Sequence, residues 1–204
     1  PDINKCSSDF SYENSNFYYA LGAIKNVGIE SISNIVKERI KNGEFKSISN
    51  FLKRINPKDI NKLQLEGLTK AGALDSIISN RRSFYESIPN IILKSKNIYQ
   101  NKLQNQIELF SENENNSFEK IVSSKHEWKF QEKMQKEFET VGFYLSDHPL
   151  NQYKEIFKEY NLTKYNEFII GSNQESMVAA TILKVQEKKT QKGTSYAIIK
   201  FSDL

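Results

Sequence analysis

The chain has 204 residues, 38% of them hydrophobic and 26% charged, and a formal net charge of +4. That length suits one or two domains, and no apolar run approaches the roughly 18 to 20 residues of a membrane span, so no membrane partner is expected. The one cysteine, Cys6, excludes an internal disulfide and a cysteine-based metal cluster and suits a reducing cytoplasm. The mildly basic balance is compatible with nucleic acid, although the abundance of Asn, Lys and Ile fits an AT-rich genome equally well. "PDINKCSSDF" lacks the basic and apolar regions of a signal peptide. Both ends read as cuts through a longer polypeptide.

In chain order, residues 1 to 16 read as irregular. From Phe17 the spacing of Tyr18, Leu21 and Ile24 predicts a helix. "KNVG" interrupts it, and Ile32, Ile35, Val36 and Ile40 resume the pattern as far as the Asn42-Gly43 stop. Phe45, Ile48, Phe51, Leu52 and Ile55 predict a short helix, and Asn56-Pro57 reads as the cap and first turn of another. A helix over 80 to 104 follows, which Pro89 should kink or split. Residues 105 to 124 are polar, apart from "QIELF", and predict a mobile linker. Trp128, Met134, Phe138, Val141 and Leu145 return to near-helical spacing. "MVAATILKV" and "SYAIIKF" then predict strands joined by a basic turn containing Gly193. The expected class is α+β, mainly α with a β-rich C-terminus.

One pattern recurs. Leu21-x-x-Ile24-x-x-Val27-Gly28 aligns with Leu65-x-x-Leu68-x-x-Ala71-Gly72, which suggests an internal duplication. Each copy reads as helix, tight turn, helix, the outline of a helix-hairpin-helix. Such a turn points the first N–H groups of its second helix at one phosphate, and the helix dipole adds positive charge there. A Cβ at Gly28 or Gly72 would hold the backbone off the phosphate, and Asn26 tolerates a left-handed turn. The candidate DNA contacts are therefore Lys25, Asn26, Val27 and Gly28 in one turn and Lys70, Ala71, Gly72 and Ala73 in the other, with Arg81 and Arg82 nearby. The expected readout is phosphate, not base identity. An ordinary packing unit with a glycine turn would share this spacing.

Chemistry is sparse elsewhere. His148, in "GFYLSDHPL", has no nucleophile or acidic partner in the pattern and reads as a turn or cap. His126 is the one other histidine, so metal ligation lacks a ligand set. Glu132, Glu137 and Glu139 alternate with Lys133 and Lys136 and read as a solvated helix face. The basic hairpin of Lys184, Lys188, Lys189 and Lys192 could open a small oligonucleotide-binding (OB) barrel, or any β-meander. "QIELF" either folds back on the preceding helix or serves as a tether.

"YALGAIKNVG", "NKLQLEGLTKAGALD", "QIELF", "EWKFQEKMQKEFETVGFYLSDHPL" and "VAATILKVQEKKTQKGTSYAIIKFSDL" together resemble consecutive segments of the alpha subunit of bacterial DNA polymerase III, a C-family replicative polymerase. The resemblance runs over nearly the whole chain, and Lys70 and Leu74 are small departures. It implies five regions: a fingers tail over 1–17, a tandem helix-hairpin-helix unit over 18–88, a helix and linker over 89–125, a helical connector over 126–170, and a truncated OB-fold from 171. It also implies that Gln106, Leu109 and Phe110 bind the sliding clamp, and that duplex DNA and other holoenzyme subunits are partners. No catalytic residue or cofactor is expected in this stretch. The carboxylates that hold Mg2+ for nucleotidyl transfer would lie in a palm domain upstream. The alternatives are a stand-alone helix-hairpin-helix scaffold protein and, within the family, an error-prone paralogue.

Overall fold

The computed structural model describes residues 1–103, 126–172 and 174–203. These form two compact units, Pro1–Leu145 and Ser146–Leu204. Gln106, Leu109 and Phe110 lie outside the described residues.

The first unit opens with a β-hairpin, β1 (Ser11–Glu13) against β2 (Asn16–Tyr18), in a stretch expected to be irregular and then helical. Asn14 and Ser15 join the strands, both with positive φ (50° and 65°), as the type I′ hairpin loop requires. The three-residue spacing of Tyr18, Leu21 and Ile24 arises instead from an extended segment leading into a single 3-10 turn at Leu21–Ala23. α1 (Ile29–Asn42) buries Ile32, Ile35 and Val36 and stops at Gly43, whose φ is +80°. α2 (Ile48–Arg54) is capped by Ser47, whose Oγ accepts from the N–H of Asn50. The Arg54 guanidinium ties the two helices together: it donates to Glu38 and to the Gly43 carbonyl, and it sits over the Phe45 ring.

Asn56-Pro57 starts no helix. Asn56 accepts from the N–H of Lys58 through its side chain and from that of Asp59 through its carbonyl, closing a turn. The cap of α3 (Lys62–Lys70) is Asn61. α4 (Arg81–Leu103) runs through Pro89 as one helix. α5 (Phe130–Val141) ends at Gly142, in the left-handed conformation at φ +91°. Ile3, Leu21, Ile24, Ile32, Phe45, Phe51, Leu65, Leu68, Leu74 and Phe84 share one buried core, so the N-terminal residues belong to it as fully as the helices do. Cys6 is buried there as a free thiol.

The second unit contains a 3-10 turn (Pro149–Tyr153), α6 (Lys154–Glu159), α7 (Tyr165–Ile170), and the antiparallel pair β3 (Thr181–Lys189) and β4 (Ser195–Ser202). His148 caps the 3-10 turn as expected. Its Nδ1 accepts from the N–H of Leu150, which leaves Nε2 as the donor toward Ser202 Oγ, 3.1 Å away. Burial lowers its pKa, and the nearby Asp203 and Asp147 only partly offset this. The strands form a two-stranded sheet, and no closed barrel is present among the described residues.

Candidate nucleic-acid interface

The two aligned motifs share their buried positions: Leu21, Ile24 and Val27 in the first, Leu65, Leu68 and Ala71 in the second. Their turns are built differently. In the first, Asn26 takes the left-handed conformation (φ +67°) and Gly28 is extended (φ −75°) as the N-cap of α1. Lys25, Asn26 and Gly28 are exposed and Val27 is buried. No side chain caps α1, so its first-turn N–H groups face outward from a turn that also presents Lys25. Glu30 is the acid in that first turn, and the Lys25 charge works against its repulsion of an anion.

The turn is seated from both sides of Lys25. Its N–H donates to the carbonyl of Thr140, at the end of α5, over 2.9 Å. At its own carbonyl, α3 comes so close that a Cβ on Gly67 would stand 2.6 Å from that oxygen. Gly67 thus sets how near the helix and the turn approach.

The second turn is closed to an outside ligand. Ala71, Gly72 and Ala73 are buried, and α4 begins only at Arg81, not directly after Gly72. Gly72 has φ +75°, and the Arg81 guanidinium lies where its side chain would be. Arg81, expected to face DNA, is 6% exposed. It donates to both Asp75 oxygens at 2.8 and 2.6 Å and to Glu137 at 2.8 Å. Burial alone would lower its pKa, but these two carboxylates outweigh it and hold the guanidinium more firmly charged. Lys70 leans on Glu139 at 3.6 Å and over the Tyr85 ring. Arg82 pairs with Glu86 one turn along α4.

The start of α4 already has its anion. Glu127 accepts from the N–H groups of Arg81 (2.8 Å) and Arg82 (3.1 Å), where a phosphate would otherwise sit. Burial tends to raise the Glu127 pKa, yet the backbone donors of Trp128, Arg81 and Arg82 bring it below the ordinary carboxylate value.

Glu137 therefore does not belong to the solvated face that the charge pattern suggested. It is buried with Met134 and Thr140, which lie three residues to either side of it along α5. That helical spacing was visible in the sequence; the partner that makes a carboxylate tolerable there, Arg81, was not. Among the described residues no group of three His, Cys, Asp or Glu side chains could hold a metal ion, and no helix is long and apolar enough to cross a membrane.

Comparison with known proteins agrees with this motif. Residues 1–84 match the helix-hairpin-helix motif family. The chain is 30% identical over 206 residues to the DNA polymerase III subunit alpha of Caulobacter vibrioides, covering 100% of this chain and 18% of that protein. It is 33% identical to that of Rickettsia prowazekii, covering 97% and 17%, and 34% identical to that of Borreliella burgdorferi, covering 79% and 14%. The chain thus spans less than a fifth of the length of these relatives. Matched along its whole length by such subunits and carrying a helix-hairpin-helix motif, the chain belongs to the bacterial DNA polymerase III alpha-subunit family and corresponds to one stretch of its members.

Proposed function

We propose that this chain is the part of a replicative DNA polymerase that grips duplex DNA and tethers the enzyme to its sliding clamp, while nucleotidyl transfer and its Mg2+ ions belong to another part of the same polypeptide. The observation that carries the DNA half is the exposed Lys25–Gly28 turn, which leads into a helix start that no side chain caps. Backbone N–H groups and one lysine suit a phosphate oxygen and carry no information about bases. The second hairpin, with its charges satisfied internally, supports the first. Few phosphates are neutralised this way, so binding is weak and falls steeply with salt.

The clamp half rests on Gln106, Leu109 and Phe110. Gln106 can both donate and accept at a pocket rim, and adjacent Leu and Phe side chains can enter one apolar cleft. Their burial yields roughly 3 to 6 kcal/mol gross, less the entropy lost on association, which gives about micromolar affinity for the peptide alone. With the clamp around the same duplex that the hairpin holds, the second contact becomes intramolecular and avidity rises. In this reading β3 and β4 open an OB-type barrel, and other holoenzyme subunits complete the assembly.

The DNA half is tested in the full-length subunit. Lys25→Ala should weaken duplex binding at every sequence alike and reduce the slope of log affinity against log salt by about one; an unchanged slope counts against the turn. For the tether, Leu109→Ala with Phe110→Ala should abolish clamp binding, and product length with clamp present should fall to that seen without it. Wild-type clamp affinity in the double variant would put the tether elsewhere.

A further inference from the structure

Arg81 and Glu137 lie too deep to touch DNA, yet Glu137 stands on the same helix, one turn before Thr140, whose carbonyl holds the turn proposed to do so. Glu137 is 1% exposed and Arg81 7% exposed at the side chain, with 2.8 Å between them. Burying two charges is costly unless geometry and further hydrogen bonds compensate. Here Asp75 takes the other edge of the guanidinium, and the absence of a side chain on Gly72 leaves it room. The pair thereby fixes α5 against the second hairpin. One helical turn beyond Glu137, the Thr140 hydroxyl bonds to the carbonyls of Lys136 and Glu137, and the Thr140 carbonyl receives the Lys25 N–H. Lys25 immediately precedes Asn26, the residue whose left-handed backbone aims the turn into α1.

We propose that Arg81 and Glu137 are positioning residues for phosphate binding by the first hairpin: the buried pair locks α5, and the Thr140 carbonyl in the last turn of α5 holds Lys25 and Asn26 in their phosphate-facing conformation. The inference rests on the DNA-binding reading above. It assigns the two aligned motifs unequal parts, one as ligand and the other as anchor, with α5 as the strut between them. Gly67 bears on the same residue at its carbonyl, so it belongs to the same device.

The test uses the full-length subunit and two variants. Glu137→Gln keeps the shape and an acceptor oxygen but removes the charge that the buried guanidinium needs. Gly67→Ala leaves the ion pair intact and places a methyl against the Lys25 carbonyl. Hydrogen exchange of the peptide containing Lys25 reads the positioning directly. It should speed up about tenfold or more in both variants, while peptides containing Leu65 and Leu68 report that the core remains folded. Retained protection at Lys25 in Glu137→Gln, with the core folded, overturns the positioning role. Affinity for a duplex oligonucleotide then reads the consequence. Glu137→Gln should lower it several-fold and reduce the salt slope by about one, and adding Lys25→Ala should bring little further loss, because both remove one contact. Additive losses overturn the proposal. If Lys25 is released in Glu137→Gln and Lys25→Ala itself binds DNA like the wild type, the DNA reading of the turn is what has failed.

Discussion

Gly28 and Gly72 occupy aligned positions in the sequence and opposite roles in the fold. A Cβ on Gly28 would meet only Ser31 Oγ at 3.7 Å, in an extended backbone open to any residue. Gly72 has a backbone that disfavours any side chain and a buried guanidinium in the space one would need. Gly28→Ala should cost no more than about 1 kcal/mol, the difference between glycine and alanine as helix caps. Gly72→Ala should cost about 3 kcal/mol or more, through left-handed strain and displacement of the Arg81 ion pairs. Chemical denaturation of the two variants measures the contrast; equal losses would mean that Arg81 can move aside cheaply. The sequence made Asn26 legible as a left-handed residue, and His148 as a cap, because both are local preferences of single side chains. It could not reveal which glycine needs to be glycine, since Arg81 reaches Gly72 from nine residues away and Glu137 from fifty-six residues beyond Arg81.

At the scale of elements, long amphipathic stretches were legible and short ones were not. α1 keeps its Asn42-Gly43 stop, α4 starts where expected, and β4 coincides with its apolar run, whereas β3 begins four residues into the expected run and continues through Lys189 into the expected turn. The β1–β2 hairpin carries no Asn-Gly or Asp-Gly signal and three-residue strands, so the period of Tyr18, Leu21 and Ile24 masks it in the sequence. The β3–β4 pair has two unlike faces. Directly paired residues share a side, so Val185 with Ile199 and Ile182 with Phe201 form an apolar patch at one end of one face, while Lys184 with Lys200 and Lys188 with Tyr196 flank Ile198 on the other. Val185 and Ile199 are about half exposed, and a sheet with such a face is prone to self-pairing. Val185→Thr with Ile199→Thr, which keeps β-branched side chains, should reduce self-association of this 204-residue chain as concentration rises, read by light scattering. Unchanged association would place the sticky surface elsewhere.

For the molecule as a whole, the two units differ sharply in what holds them. The first has a continuous core running from Ile3 to Ile91. In the second, among the described residues, Leu150 is the one buried hydrophobic side chain, while Ile156, Ile169, Ile170 and Met177 remain largely exposed. Opening free energy follows buried apolar contacts. Amides of residues 146–203 should therefore exchange well before those of Leu65, Leu68 and Phe84 in this chain, and limited proteolysis should leave the first unit last. Simultaneous loss of protection in both would show that they unfold together.

Trp128 is the chain's one tryptophan. It is buried against the Tyr85 ring, lies under the Lys136 ammonium, and follows Glu127, the residue that caps α4. Its indole is thus an intrinsic fluorophore placed at the seam between α4 and α5. Separation of that seam would hydrate the ring and shift its emission to longer wavelength, while its surroundings stay unchanged as long as the seam is closed. In this 204-residue chain the indole is therefore an unlabelled optical gauge of whether the strut behind the Lys25 turn is in place, readable in real time.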